Sequence, residues 1–197
     1  MAAQTTQQTL KEKLGGRNIF LIGMMGSGKS NTGPDLAKMI NYTFVDTDDV
    51  IEKASKQSIS NIFEKDGEAA FRDLEKQVLK EISQHHSLVI ATGGGLVTLP
   101  ENWGILHQGI VIWLDLDVKR SIQRLESDKK KRPLLIDDLS KSFSQLYESR
   151  KPIYLESDLR IEVEDQSPYE VAAMIAERLP TILIDPEGQA ERHTTEL

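Results

Sequence analysis

The chain contains no cysteine. That excludes disulfides, thiolate metal sites and a cysteine nucleophile, and it fits a cytoplasmic protein. A basic excess is also missing: 24 Lys and Arg stand against 31 Asp and Glu, a formal charge of −7. Such a chain has no general means of neutralising a phosphate backbone, so nucleic acid is not an expected partner. No apolar run approaches bilayer-spanning length, so no membrane partner is expected either. Residues 1–16 are rich in Gln and Thr and lack an apolar h-region. They are expected to be neither a secretory signal nor an Arg-rich transit peptide, but a loose tail with a short helix around 9–14. Residues 185–197 are polar, include Pro186 and Gly188, and read as a second tail. Between them, 17–184 is expected to form one domain with an ordinary core. No internal repeat is visible.

What the chain does have is Gly23-Met24-Met25-Gly26-Ser27-Gly28-Lys29-Ser30, a full match to G-x-x-x-x-G-K-[ST]. The apolar run Ile19-Phe20-Leu21-Ile22 precedes it and reads as a buried strand; residues 35–40 follow as a helix. Strand, Gly-rich loop and helix together form a phosphate-binding loop. Glycines let several backbone N–H groups converge on phosphate, and the helix aims its positive dipole end at the same point. Lys29 suits the β- and γ-phosphates, and Ser30 can offer its hydroxyl to Mg²⁺. A chance match somewhere in such a chain is on the order of one in a hundred, and the strand–helix context lowers that further. A nucleoside triphosphate is therefore the expected ligand.

Strand-like and helix-like segments alternate beyond the loop. Strands are expected at 42–45, 88–91, 110–114 and 159–163, with a short extra one at 181–184. Helices are expected at 50–54, 60–65, 68–83, 118–125, from 140 to 147 and at 168–179. In the third of these, Phe71, Leu74, Val78 and Ile82 make one apolar stripe. The pattern predicts an α/β fold: a five-stranded parallel sheet flanked by helices on both faces. Ligands in such sheets bind at the carboxyl ends of the strands, where the phosphate loop, Asp46-Thr47-Asp48 and Gly93-Gly94-Gly95 all lie.

Each of these features also has a purely structural use. Asp46 and Asp48 share one face if extended, which would let them hold Mg²⁺ or accept a hydroxyl proton. Aspartates before a helix also serve as caps, and the phosphate loop decides for function. Arg72 and Glu75, three apart on a helix, form either an ordinary surface pair or an Arg presented to an anion. The three glycines are either a flexible turn or a bare backbone that approaches a ligand. The run Lys129-Lys130-Lys131-Arg132 is either a solvated face or a lid, about 127–138, whose Arg closes over a transferred phosphoryl group. His85 and His86 end a helix and need no metal to explain them.

The ordered set resembles the shikimate kinases over roughly residues 18–179. It comprises the phosphate loop, Asp46-Thr47-Asp48, Phe71-Arg72-Asp73-Leu74-Glu75, the three glycines, Arg132-Pro133-Leu134-Leu135 and Arg150-Lys151-Pro152-Ile153-Tyr154. The resemblance implies the P-loop nucleoside monophosphate kinase fold and phosphorylation of shikimate by MgATP, in a cytoplasmic monomer. It implies that Ser30 ligates Mg²⁺ and that Asp46 supports the ion through water. Asp48 would contact the 3-hydroxyl, and Arg72 and Arg150 would grip the carboxylate. The backbone of Gly93, Gly94 and Gly95 would meet the ring hydroxyls. Lys29 and Arg132 would neutralise the moving phosphoryl group. Gly26, Ser27, Gly28, Ser30 and Asn31 would line the nucleotide site, with Arg124 near the adenine.

Two positions depart from the family pattern, which usually reads Thr-Val-Gly after the loop. Here Asn31-Thr32-Gly33-Pro34 follows. Asn31 can still donate to phosphate. Pro34 falls inside the expected helix and cannot donate to the Ser30 carbonyl, so a local kink or a compensating water is expected. Other small-acid kinases of the same fold, such as a gluconate kinase, and a non-catalytic relative are the competing readings.

Overall fold

The computed structural model describes residues 10–127 and 139–183. Its element order is α1 (10–14), β1 (Ile19–Ile22), α2 (Lys29–Ile40), β2 (Thr43–Asp46), α3 (Thr47–Ser55), α4 (Ile59–Lys65) and α5 (Gly67–Ile82). There follow β3 (Leu88–Ala91), a 3-10 turn (Leu96–Thr98), α6 (Pro100–Leu106), β4 (Ile110–Leu116), α7 (Val118–Ser127), α8 (Leu139–Tyr154), β5 (Leu159–Val163) and α9 (Pro168–Ile182). The five strands form one parallel sheet in the order β2-β3-β1-β4-β5.

Strands β1, β3 and β4 are buried at every position. That is the condition of parallel strands covered on both faces, and it explains their unbroken apolar runs. Side-chain alternation splits the core in two. Ile19, Leu21, Ile112 and Leu114 pack under α2 and α9; Phe20, Ile22, Val111 and Trp113 pack under α5, α6 and α8. The expected fold class is therefore what the structure has, with β4 running two residues further than its apolar run indicated.

Two local expectations change, and a third is narrowed. The strand foreseen at 181–184 is displaced by α9, which continues to Ile182 past Pro180. Leu179 and Leu183, four apart, are both buried, so the apolar stripe carries the helix on while Pro180 faces solvent. The N-terminal segment is not loose from residue 10 onward. Leu10 and Leu14 join the core under α2 and α9, and Arg17 Nε donates to the Leu14 carbonyl at 3.1 Å. At Pro34, where a kink or a compensating water was expected, α2 runs unbroken. Pro34 and Ser30 are both exposed, so water can reach the carbonyl that Pro34 leaves without its helical donor.

Gly33 is in the helix for a packing reason. A Cβ there would stand 2.5 Å from Phe44 Cδ2, because the Phe44 ring on β2 packs directly against the helix at this position. The neighbouring residues thus make opposite predictions. Gly33→Ala should destabilise by about 1–3 kcal/mol, since the ring must move. Pro34→Ala restores a hydrogen bond at an exposed position and should stabilise by roughly 1–3 kcal/mol. Urea unfolding of the two variants checks both signs.

Candidate active site

The phosphate loop spans residues 23–28 between β1 and α2. Gly26 and Gly28 have φ of 82° and 95°, and Gly28 caps α2 from the left-handed region. Its carbonyl accepts from the N–H groups of Asn31 (3.1 Å) and Thr32 (2.8 Å). Ser30 and Asn31 lie exposed in the first turn, where the helix end favours an anion. Arg124 of α7 leans on the same loop: Nη1 donates to the Gly26 carbonyl at 3.4 Å and Nη2 to the Glu164 carbonyl at 2.7 Å.

Lys29 is buried. Its Nζ donates to the carbonyls of Gly23 (2.8 Å) and Met24 (3.0 Å) and lies 3.4 Å from Ser27 Oγ. Burial pulls its pKa down to about 8, against the opposing pull of Asp48 and Asp46, while Arg150 adds to the lowering. Those four residues therefore sit within one electrostatic neighbourhood, although they come from α2, β2, α3 and α8.

The aspartates are not on one extended segment, as the sequence suggested. Strand β2 ends at Asp46, whose Oδ1 accepts from the Asp48 N–H at 3.0 Å and caps α3. Asp48 belongs to the first helical turn. Asp46 is thus both a cap and a carboxylate at the strand end, because a carboxylate with two oxygens can do both. Thr47 between them is fully buried, and its Oγ1 accepts from the Gly93 N–H at 3.1 Å. This tie between the start of α3 and the glycine turn was not foreseen; a lone Thr between two Asp carries no signal of it.

The glycine turn follows β3. A Cβ on Gly93 would collide with Glu75 Oε1 and stand 3.1 Å from Asp48 Oδ1. A Cβ on Gly95 would lie 2.6 Å from Arg72 Cζ. The absent side chains leave room for these charged groups at the turn. Glu75 is fully buried, four residues from Phe71 and from Leu79 on the inward face of α5. It is therefore not half of a surface pair. Its Oε2 pairs with Arg72 Nη1, and Arg72 Nη2 lies 3.1 Å from Glu68 Oε1. Burial pushes the Glu75 carboxyl above its ordinary range, the Arg72 hydrogen bond pulls it back, and Asp48 pushes it up further. Its Oε1 has no hydrogen-bond partner among the described residues.

Arg150 of α8 completes the group. Its Nη1 donates to the Gly94 carbonyl at 3.0 Å, and its buried Nε has no acceptor among the described residues. Two guanidinium groups thus flank one bare backbone turn beside the phosphate loop. Arg132 and most of the expected lid lie outside the described residues.

The shikimate kinase family profile matches residues 25–180. A shikimate kinase of Prochlorococcus marinus (strain NATL2A) is 84% identical over 198 residues, covering 100% of both chains. The chain belongs to the shikimate kinase family. Among solved structures, a shikimate kinase from Acinetobacter baumannii in complex with shikimate has a TM-score of 0.81 and 34% identity, over 87% of this chain and 97% of that one. A gluconokinase from Sinorhizobium meliloti 1021 has a TM-score of 0.56 at 12% identity, over 90% of this chain and 97% of that one; it shares the fold alone. A shikimate kinase is a transferase of the shikimate pathway that uses ATP, and the parallel sheet is that of the P-loop kinases. Among the described residues no helix is long and apolar enough to cross a membrane.

The burial of Lys29 makes a pH prediction. Without nucleotide the ammonium loses its proton as pH rises through about 8. Phosphate oxygens beside it favour the charged form and push the pKa back up. ADP binding at about pH 8–9 should therefore take up a proton, and affinity should fall as pH rises through this range. Calorimetry in two buffers of different ionisation enthalpy should detect the uptake. Lys29→Arg, charged throughout, should show none from this position.

Proposed function

We propose that the chain transfers the γ-phosphoryl group of MgATP to the 3-hydroxyl of shikimate, as a cytoplasmic monomer. The observation that carries the acceptor assignment is Arg150: a half-buried guanidinium whose buried Nε has no acceptor among the described residues, held on the Gly94 carbonyl beside the phosphate loop. With Arg72 at the neighbouring glycine, it suits a carboxylate, which a planar guanidinium fork binds with two parallel hydrogen bonds.

The donor set suits a hard cation. Among the described residues no group of three or more His, Asp or Glu side chains could hold an ion by itself. A Ser30 hydroxyl, the Asp46 carboxylate through water and the triphosphate oxygens together would do so, which is how Mg²⁺ is usually held at phosphates. Bound there, the ion would neutralise charge on the β- and γ-phosphates.

The loop amides of Gly26 to Asn31 and the α2 dipole would hold the phosphates, with Arg124 near the adenine. Lys29 would exchange the Gly23 and Met24 carbonyls for phosphate oxygens. The 3-hydroxyl oxygen would attack the γ-phosphorus as the bond to the bridging oxygen breaks, and ADP would leave. The hydroxyl proton would pass to the Asp48 carboxylate. The Gly94 and Gly95 N–H groups would meet ring hydroxyls, and Arg132 would share the charge of the moving phosphoryl group.

A coupled assay for ADP should show release that depends on shikimate and not on gluconate; equal release with gluconate would overturn the acceptor assignment. Asp48→Asn should lower kcat by at least about a hundredfold with ADP affinity within about twofold. Arg150→Ala should raise the shikimate KM by about tenfold to a hundredfold and leave the ATP KM unchanged. A rise in the ATP KM instead would move Arg150 to the nucleotide side.

A further inference from the structure

The Gly94 carbonyl accepts two hydrogen bonds, from Arg150 Nη1 at 3.0 Å and from the Tyr154 hydroxyl at 3.1 Å. The peptide between Gly94 and Gly95 is trans, so its N–H points away from its carbonyl. Whatever fixes the carbonyl therefore aims the Gly95 N–H. Glycines give this turn little stiffness of its own.

Tyr154 is itself tightly held. It is fully buried, its hydroxyl lies 3.6 Å from Met24 Sδ at the phosphate loop, and its ring stacks on Trp113 with centroids 5.5 Å apart. The Arg160 guanidinium covers Trp113 at 5.0 Å and is bound to Asp115, at 2.9 Å through Nε and 2.7 Å through Nη2. Asp115 Oδ1 also accepts from the Tyr147 hydroxyl at 2.9 Å. Tyr147, Arg150 and Tyr154 lie on one face of α8, at spacings of three and four. Burial pushes the Tyr154 hydroxyl up to about 12, so it remains a donor near neutral pH.

We propose that Tyr154 is a positioning residue for the acceptor, its hydroxyl locking the Gly94–Gly95 peptide so that the Gly95 N–H faces the acceptor crevice and Arg150 keeps one fixed orientation. The inference rests on the acceptor-site reading above and adds a residue to it. Tyr154 acts through Gly94 and Arg150 and touches no reacting atom.

Tyr154→Phe keeps the ring on Trp113 and deletes only the hydroxyl. It should raise the shikimate KM about three- to tenfold, the effect of one lost hydrogen bond, with kcat and the ATP KM within about twofold. Tyr147→Phe is the matched control: it removes another buried hydroxyl from the same helix, one that does not touch Gly94. It should lower the melting temperature by a similar amount and leave the shikimate KM within about twofold. A shikimate KM unchanged in Tyr154→Phe, or raised equally in both variants, overturns the inference. Arg150→Ala separates the two levels. If it too leaves the shikimate KM unchanged, the acceptor site itself is misplaced; if it alone raises the KM, only the role of Tyr154 fails.

Discussion

The Lys29 ammonium is buried inside its own loop, and the rest of the site is arranged around that charge. Two loop carbonyls replace part of its hydration, and Asp48 and Asp46 supply the opposing charge. Burying an isolated cation is costly enough that it would shed its proton outright. The same balance extends outward. Glu75 is buried against Arg72, and Arg150 lies near both Glu75 and Lys29. Removing one member leaves another buried charge uncompensated, so these residues act as a unit rather than as separate contacts.

The sheet order determines which charges can meet. β1 lies between β3 and β4, and β2 lies outside β3. The carboxyl ends of β1, β2 and β3 therefore stand side by side, and their loops deliver Lys29, Asp48 and the glycine turn to one edge. α5 lies under the turn and supplies Arg72 and Glu75. α8 reaches the turn from much later in the chain, through the Arg150 and Tyr154 bonds to Gly94. Nucleotide-side and acceptor-side elements are thus in direct contact: a Cβ on Gly94 would be 3.6 Å from both the Gly23 carbonyl and the Met25 amide.

Where a residue type signals its own conformation or burial, the sequence was enough. The phosphate loop is legible because glycine spacing, a buried strand and a helix all depend on local chain geometry. The three inner strands, β1, β3 and β4, are legible because parallel strands buried on both faces are continuously apolar. Glu75 was only half legible. Its pairing with Arg72 follows from helical spacing, but a carboxylate reads as an exposed residue, and only the fold shows it at the centre of an apolar face. The geometry of Asp46 and Asp48 was missed because period-two reasoning fails when a helix begins within the motif. The strand expected at 181–184 gives way to α9, because an exposed proline near a helix end can be tolerated when the buried stripe continues. Tyr154 stood in the sequence only as the end of a family motif; its bond to Gly94 was not legible, since its partner is a backbone carbonyl and sequence patterns do not encode such contacts.

The two arginines at the acceptor side are not equivalent. Arg72 already faces two carboxylates, Glu75 and Glu68, so much of its charge is spent before any ligand arrives. Among the described residues Arg150 makes no ion pair, and its bond to the Gly94 carbonyl is to a neutral group. An incoming carboxylate would compete with Glu68 and Glu75 for Arg72, but for Arg150 with no carboxylate in direct contact among the described residues, Glu75 acting on it only at longer range. Arg150 should therefore supply most of the Coulombic attraction, while Arg72, fixed by Glu75 and lodged against Gly95, supplies geometry. This division also explains why Glu75 is retained in an apolar face at the cost of its desolvation: with only solvent as its partner, the Arg72 side chain would have many rotamers and no fixed direction. The buried carboxylate turns it into a directed donor, and the glycine at 95 leaves the space in which that donor sits.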